Sequence, residues 1–197
     1  MNAHPFLLPA SRIELTRQPI QTSRLSLRPV ASHDAAALWR ILSNEHEREQ
    51  LGRWLSWVHW TRELSDSENF VRGSIDDWDG RRAYRLAITL HGDVVGMIGL
   101  EQLLFTQRQA ELGYWLRSGA QGRGLAAEAA AAVLSWAFVD LNAHRVRAAV
   151  AVGNDRSEKL LRTLRFQYEG CARHAEWCGG KWLDHKLFGL LEEEFLA

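Results

Sequence analysis

Glu111-Leu-Gly-Tyr-Trp-Leu116 is followed, after four residues, by Gln121-Gly-Arg-Gly-Leu-Ala126. The first segment reads as a strand and the second as a short basic, glycine-rich loop that opens a helix. Glycine lets a backbone approach a ligand closely. A helix start presents free N–H groups and the positive end of the helix dipole. Together these features bind phosphate. Gly122-Arg-Gly124-Leu-Ala-Ala127 also satisfies the G-x-G-x-x-A pattern of dinucleotide folds. That pattern needs its strand to run straight into the first glycine, within a parallel βαβ unit. Here residues 117–120 intervene and hairpin strands precede, and Asp155 lies well beyond the usual spacing of about 20 residues for an acidic ribose partner. The bland alternative is a flexible loop before an alanine-rich helix.

Outward from this loop the chain alternates strands and helices. Arg24-Leu-Ser-Leu-Arg28 alternates like a strand, and Ser32 is positioned to cap a helix to about Leu42. Ser65-Asp-Ser-Glu68 has the capping-box pattern and opens a helix to about Asp79. Tyr84–Leu90 and Val94–Leu100 are strands joined by His91-Gly92-Asp93, a hairpin signal. Gln109–Leu116 is another strand. From Leu125 the period changes: Ala126, Ala130, Val133, Leu134, Ala137, Phe138 and Leu141 share one helical face. His144–Val152 reads as a strand, Gly153-Asn154-Asp155 as a turn and Ser157–Leu164 as a short helix. Two final strands, Phe166 to about Trp177 and Trp182 to about Leu190, are split by Cys178-Gly-Gly180. The order predicts an α/β (α+β) fold: a mixed, mostly antiparallel sheet with helices on its faces.

The chain has 197 residues, 46% apolar and 24% charged, which suits one soluble globular domain. Its 24 basic and 24 acidic side chains cancel. No global field draws it to nucleic acid or an anionic membrane. Residues 1–21 read as an irregular N-terminal extension, with neither a signal peptide nor a membrane span. The two cysteines, Cys171 and Cys178, suggest reduced cytoplasmic thiols. Eight histidines show no pair with ligand spacing, so no metal is expected, and His144, His174 and His185 read as surface or core residues. Trp54, Trp57 and Trp60 recur every three residues. Core packing is their default; the wall of a substrate cleft is the functional alternative.

Gln121, Gly124 and Ala126 resemble the Q/R-x-x-G-x-G/A acyl-coenzyme-A signature of the GNAT acetyltransferase superfamily. Asn154-Asp-Arg-Ser157 resembles the Asn-x-x-Ser helix of the same family. Glu169-Gly-Cys-Ala-Arg-His-Ala-Glu176-Trp resembles its RimJ/RimL branch, which acetylates protein N-termini, ribosomal proteins among them. The likeness runs from about Thr22 to the chain end, implying a single GNAT domain over 22–197. It departs at Leu164-Arg165-Phe166, where the family usually has a glycine before the phenylalanine. The resemblance implies a sheet of about seven strands, splayed where acetyl-coenzyme A binds. The expected donor site comprises Tyr114, Trp115 and Leu116 on the strand, Gln121, Gly122, Arg123, Gly124, Leu125 and Ala126 in the loop, Asn154 on the pantetheine arm and Lys159 at the outer phosphate. A backbone N–H near Leu116 would serve the oxyanion.

Acetyl transfer to an amine requires a neutral amine, a stabilised oxyanion and a stabilised thiolate. A protein α-amine has a pKa of about 7.7–8.0, so a carboxylate acting directly or through water suffices as base. The resemblance puts the base at Glu176, with Glu111 and Glu101 as fallbacks, and puts Ser157 at the coenzyme sulfur. Without it, Glu176 is a solvated glutamate and Ser157 a helix cap. The expected activity is direct transfer in a ternary complex to a protein N-terminus. The alternatives are a small amine such as a polyamine or antibiotic, and a non-catalytic coenzyme-A-binding module. Family members often dimerise.

Overall fold

The structure is a computed structural model that describes residues 17–196. Eight strands form one sheet in the order β1-β2-β3-β4-β5-β6-β8-β7. They are β1 (Ile20–Gln21), β2 (Leu25–Pro29), β3 (Tyr84–Leu90), β4 (Asp93–Leu104), β5 (Gln109–Leu116), β6 (Arg145–Ala151), β7 (Gln167–Cys178) and β8 (Lys181–Leu191). The helices are α1 (Asp34–Leu42), α2 (Glu45–Gly52), α3 (Leu64–Asp79), α4 (Leu125–Ser135), α5 (Asp155–Thr163) and α6 (Glu192–Leu196). Among the described strands only β5 and β6 pair in parallel, because α4 carries the chain across between them. Strand β1 falls within the stretch read as an extension, of which residues 1–16 lie outside the described residues.

The alternation along β3 explains why both faces of the sheet are covered. Leu86 and Ile88 face a large cluster with Ile98, Leu112, Ala129, Val133, Leu134 and Phe138. Ala87 points the other way and joins Val30, Ala35, Leu38, Val71 and Met97 beneath α1 and α3. Each fully buried leucine or isoleucine contributes about 1.5–3 kcal/mol. The predicted face of α4 is buried from Ala130 to Leu141, running on through a wide turn at Trp136–Asp140. The hairpin between β3 and β4 turns at His91 and Gly92, both with positive φ (53° and 90°), as a tight hairpin requires.

The helix starts differ from expectation. Ser32 caps nothing: the carboxylate of Asp34 accepts the Ala31 N–H at 2.8 Å and grips Arg28 at 2.6 and 2.7 Å. Helix α3 begins two residues before the Ser65 pattern implied, with Glu63 at its cap. Asp66 accepts the Glu63 N–H at 3.0 Å, while Ser65 donates to the Glu63 carboxylate at 2.8 Å. Helix α2 was not anticipated, because Glu45-His-Glu-Arg-Glu-Gln has no apolar periodicity. Asn44 starts it by accepting the Glu47 N–H at 3.1 Å.

The β5–β6 seam positions the site. Pairing runs from Gln109↔Arg145 to Glu111↔Arg147 and then ends. Strand β5 continues against β4 to Leu116, and β6 continues against β8 to Ala151. The two strands therefore diverge, leaving Leu112–Leu116 as an edge without a ladder on the β6 side.

Candidate active site

The glycine-rich loop lies directly beyond this open edge. Gly122 and Gly124 have φ of 73° and 75°, a conformation that favours glycine. Gly122, Arg123 and Gly124 are exposed, whereas Leu125 is anchored in the core. The α4 helix starts at Leu125, so its free N–H groups face the loop. Gln121 is held at both ends of its amide: its nitrogen donates to the Leu116 carbonyl (2.8 Å), and Arg156 donates to its oxygen (3.1 Å).

The loop is also tied to the start of the sheet, which sequence reading missed. Arg24 donates to the Arg123 carbonyl at 2.9 Å and pairs with Glu128 at 2.6 Å. Glu128 further accepts from Thr22, Ser23 and the Arg24 backbone. Burial pushes its pKa up, but these donors outweigh burial and hold it at about 2. The available signal was an acid in the first turn of the helix after the glycine loop.

Ser157 and Tyr114 meet across the splay. Asn154, not Ser157, caps α5, accepting the Ser157 N–H at 3.3 Å. The Ser157 hydroxyl therefore takes no part in the cap. It is hydrogen-bonded to the Tyr114 phenol at 2.6 Å. Burial raises the Tyr114 pKa to about 12, although its bond to Ser157 pulls the other way, so the phenol stays protonated near neutral pH. Asn154 retains its amide N–H groups as donors. Lys159 lies exposed in a groove on α5 with Asp155, Glu158, Arg162 and Lys186.

Glu176 sits elsewhere on the same end of the sheet. Ser56 donates to one carboxylate oxygen, and His185 Nε2 lies 3.3 Å from the other. That nitrogen is buried without an aligned hydrogen bond. A bulge causes this meeting: the β7–β8 register slips between Ala172 and Glu176, where the His174 N–H turns to Asp184 at 2.8 Å. His185 is therefore a neighbour of Glu176 rather than a surface or purely core residue. Strand alternation on β8 was the available signal; Ser56 gave none. Glu111 pairs with Arg147 at 3.1 Å, and burial raises its pKa. Glu101 pairs with Arg85 at 3.0 Å.

Trp57 and Trp60, with Trp115 and Tyr114, line a cleft of about 550 Å³ under α1 and α3. Trp57 and Trp115 have ring centroids 5.7 Å apart. Trp54 instead packs with Ala151, Cys178 and Leu183. The two cysteines are unbridged; Cys178 is buried, and burial followed by the nearby Glu176 raises its pKa. Among the described residues no group of three or more potential ligands could hold a metal ion, and no helix is long and apolar enough to cross a membrane.

A splayed mixed sheet with a glycine loop at its open edge is the architecture of an acyl-coenzyme-A-dependent transferase. The model of the acetyltransferase (GNAT) domain family matches residues 24–167, and the chain belongs to that family. It is an N-acetyltransferase whose acetyl donor is acetyl-coenzyme A. It is 29% identical to the putative ribosomal N-acetyltransferase YdaF of Bacillus subtilis, over 87% of this chain and 93% of that protein. A RimL structure, a ribosomal L7/L12 alpha-N-protein acetyltransferase in complex with coenzyme A, shares the fold with a TM-score of 0.85 at 21% identity, covering 90% of this chain and 99% of that one. Mycobacterium smegmatis RimJ in complex with CoA-disulfide gives a TM-score of 0.81 at 28% identity, covering 88% and 84%.

Proposed function

We propose that the enzyme acetylates the N-terminal α-amine of a protein, with ribosomal proteins the first candidates, by direct attack in a ternary complex. The observation that carries this is the Tyr114–Ser157 pair at the mouth of the splay, between the glycine loop and the aromatic cleft. The similarity to YdaF, RimL and RimJ supports the choice of acceptor.

In this reading residues 22–197 act as one domain. The Gln121–Ala126 loop takes the pyrophosphate, and the Tyr114–Leu116 edge pairs with the pantetheine amides as an added strand would. Asn154 donates to the arm and Lys159 meets the outer phosphate. Glu176 accepts the amine proton, directly or through water. The amine nitrogen adds to the thioester carbonyl to give a tetrahedral oxyanion, whose collapse breaks the C–S bond while the Ser157 hydroxyl hydrogen-bonds the departing thiolate. With Tyr114 as the donor in its bond to Ser157 Oγ, the serine proton is left to point at the sulfur. The experiment is a transfer assay with acetyl-coenzyme A over N-terminal peptides, polyamines and aminoglycosides. Peptide turnover is expected. Turnover of only the small amines would move the acceptor, and no turnover with coenzyme binding intact would leave a binding module.

A further inference from the structure

The cleft under α1 and α3 has chemistry that the transfer step does not use. Its walls are Leu42, Leu55, Trp57, Phe70, Met97 and Trp115. Phe70 is 42% exposed and Trp57 36%, so folding alone does not cover them. The carboxylates at its edge are already engaged. Asp66 accepts the N–H groups of Arg62 and Glu63 at 2.7 and 3.0 Å. Glu101 pairs with Arg85, which also binds Asp77 at 2.7 Å. Among the described residues that line the cleft, no carboxylate is left for a second ammonium group such as a polyamine carries.

The cleft floor is opened by a glycine that the backbone does not demand. Gly99 and Gly113 face each other across β4 and β5. At Gly99 a Cβ would lie 2.8 Å from the Tyr84 carbonyl, so the fold needs glycine there. At Gly113 a Cβ would meet nothing within 4 Å, and φ is not in the left-handed region. Glycine weakens a strand; here it leaves a hole beneath the aromatic walls.

We infer that this cleft selects acceptors whose first residue carries a large apolar side chain, seated over Gly113. The inference rests on the reading of the acceptor as a protein N-terminus. Tyr114 lies between the two sites: its neighbours Gly113 and Trp115 line the cleft, while its ring packs on the opposite face of the sheet and its phenol holds Ser157. The cleft volume of about 550 Å³ is within the range of ligand pockets.

The test compares kcat/KM for peptides identical except at residue one: Phe, Leu, Met, Ala, Ser or Lys, with spermidine alongside. Phe, Leu and Met peptides should exceed Ala and Ser peptides at least tenfold. Gly113→Leu should reduce that ratio at least tenfold, and Phe70→Ala, on an exposed helix face, should reduce it several-fold. Ala or Ser peptides matching the large apolar ones, or a ratio unmoved by Gly113→Leu in a folded variant, would overturn the inference and leave the N-terminal reading standing. Turnover of spermidine but of no peptide would overturn both.

Discussion

The Tyr114 phenol and the Ser157 hydroxyl lie 2.6 Å apart, joining β5 to the first turn of α5 across the gap where β5 and β6 part. Tyr114→Phe keeps the ring and removes this bond. The expected result is a fall in kcat of about tenfold, the cost of one buried hydrogen bond, with KM for acetyl-coenzyme A little changed. Because the phenol pKa is raised to about 12, the deficit should be uniform from pH 6 to 10. Ser157→Ala should give a similar loss, and the double variant less than the product of the two.

Glu176→Gln should lower kcat about 100-fold or more, the usual contribution of a general base. Coenzyme affinity measured by calorimetry should be unchanged, since Glu176 contacts Ser56 and His185 rather than the loop. If Glu101→Gln or Glu111→Gln instead produces that loss, the base is reassigned.

Gly124→Val places a β-branched residue at φ of 75°, with Arg24 3.6 Å from the new Cβ. The strain is about 1–3 kcal/mol. Coenzyme A should bind at least tenfold more weakly while circular dichroism stays native. Equal affinity would remove the loop from the phosphate site.

Glu128 ties the loop to Thr22, Ser23 and Arg24, and its pKa is held at about 2. In the unfolded chain it titrates near 4.3. Between these values the folded state binds fewer protons than the unfolded one, so stability rises with pH. The Glu128 contribution is full above about pH 4.5 and disappears as pH falls towards 2. Glu128→Gln should cost about 2 kcal/mol at pH 7, as for hydrogen bonds to a charged group. The gap to the parent protein should close in acid denaturation monitored by fluorescence.

Local chemistry was legible where residue type alone dictates conformation. Gly122 and Gly124 announced a loop open to close approach, and the His91-Gly92-Asp93 turn signal announced the β3–β4 hairpin. Helix α2 escaped because its exposed acidic face carries no apolar period, although its Glu47 holds the Ser118 N–H at 2.8 Å, close to the loop. The partners of Glu176 escaped for another reason. Ser56 is 120 positions away in sequence, and a bulge decides which β8 residue meets the carboxylate.

The sequence by itself pointed to the donor, because a glycine loop at a helix start suits phosphate and the same residues resemble an acyl-coenzyme-A signature. It also determined most of the order of strands and helices, because burial follows period, though not β1, α2 or α6. Only the tertiary structure decided what the Ser157 hydroxyl meets. Asn154 takes the cap, so Ser157 turns to Tyr114. It alone showed that the cleft's carboxylates are engaged while its aromatic walls are open. Such facts depend on where side chains from distant segments end, and contacts between distant segments leave no local pattern to read.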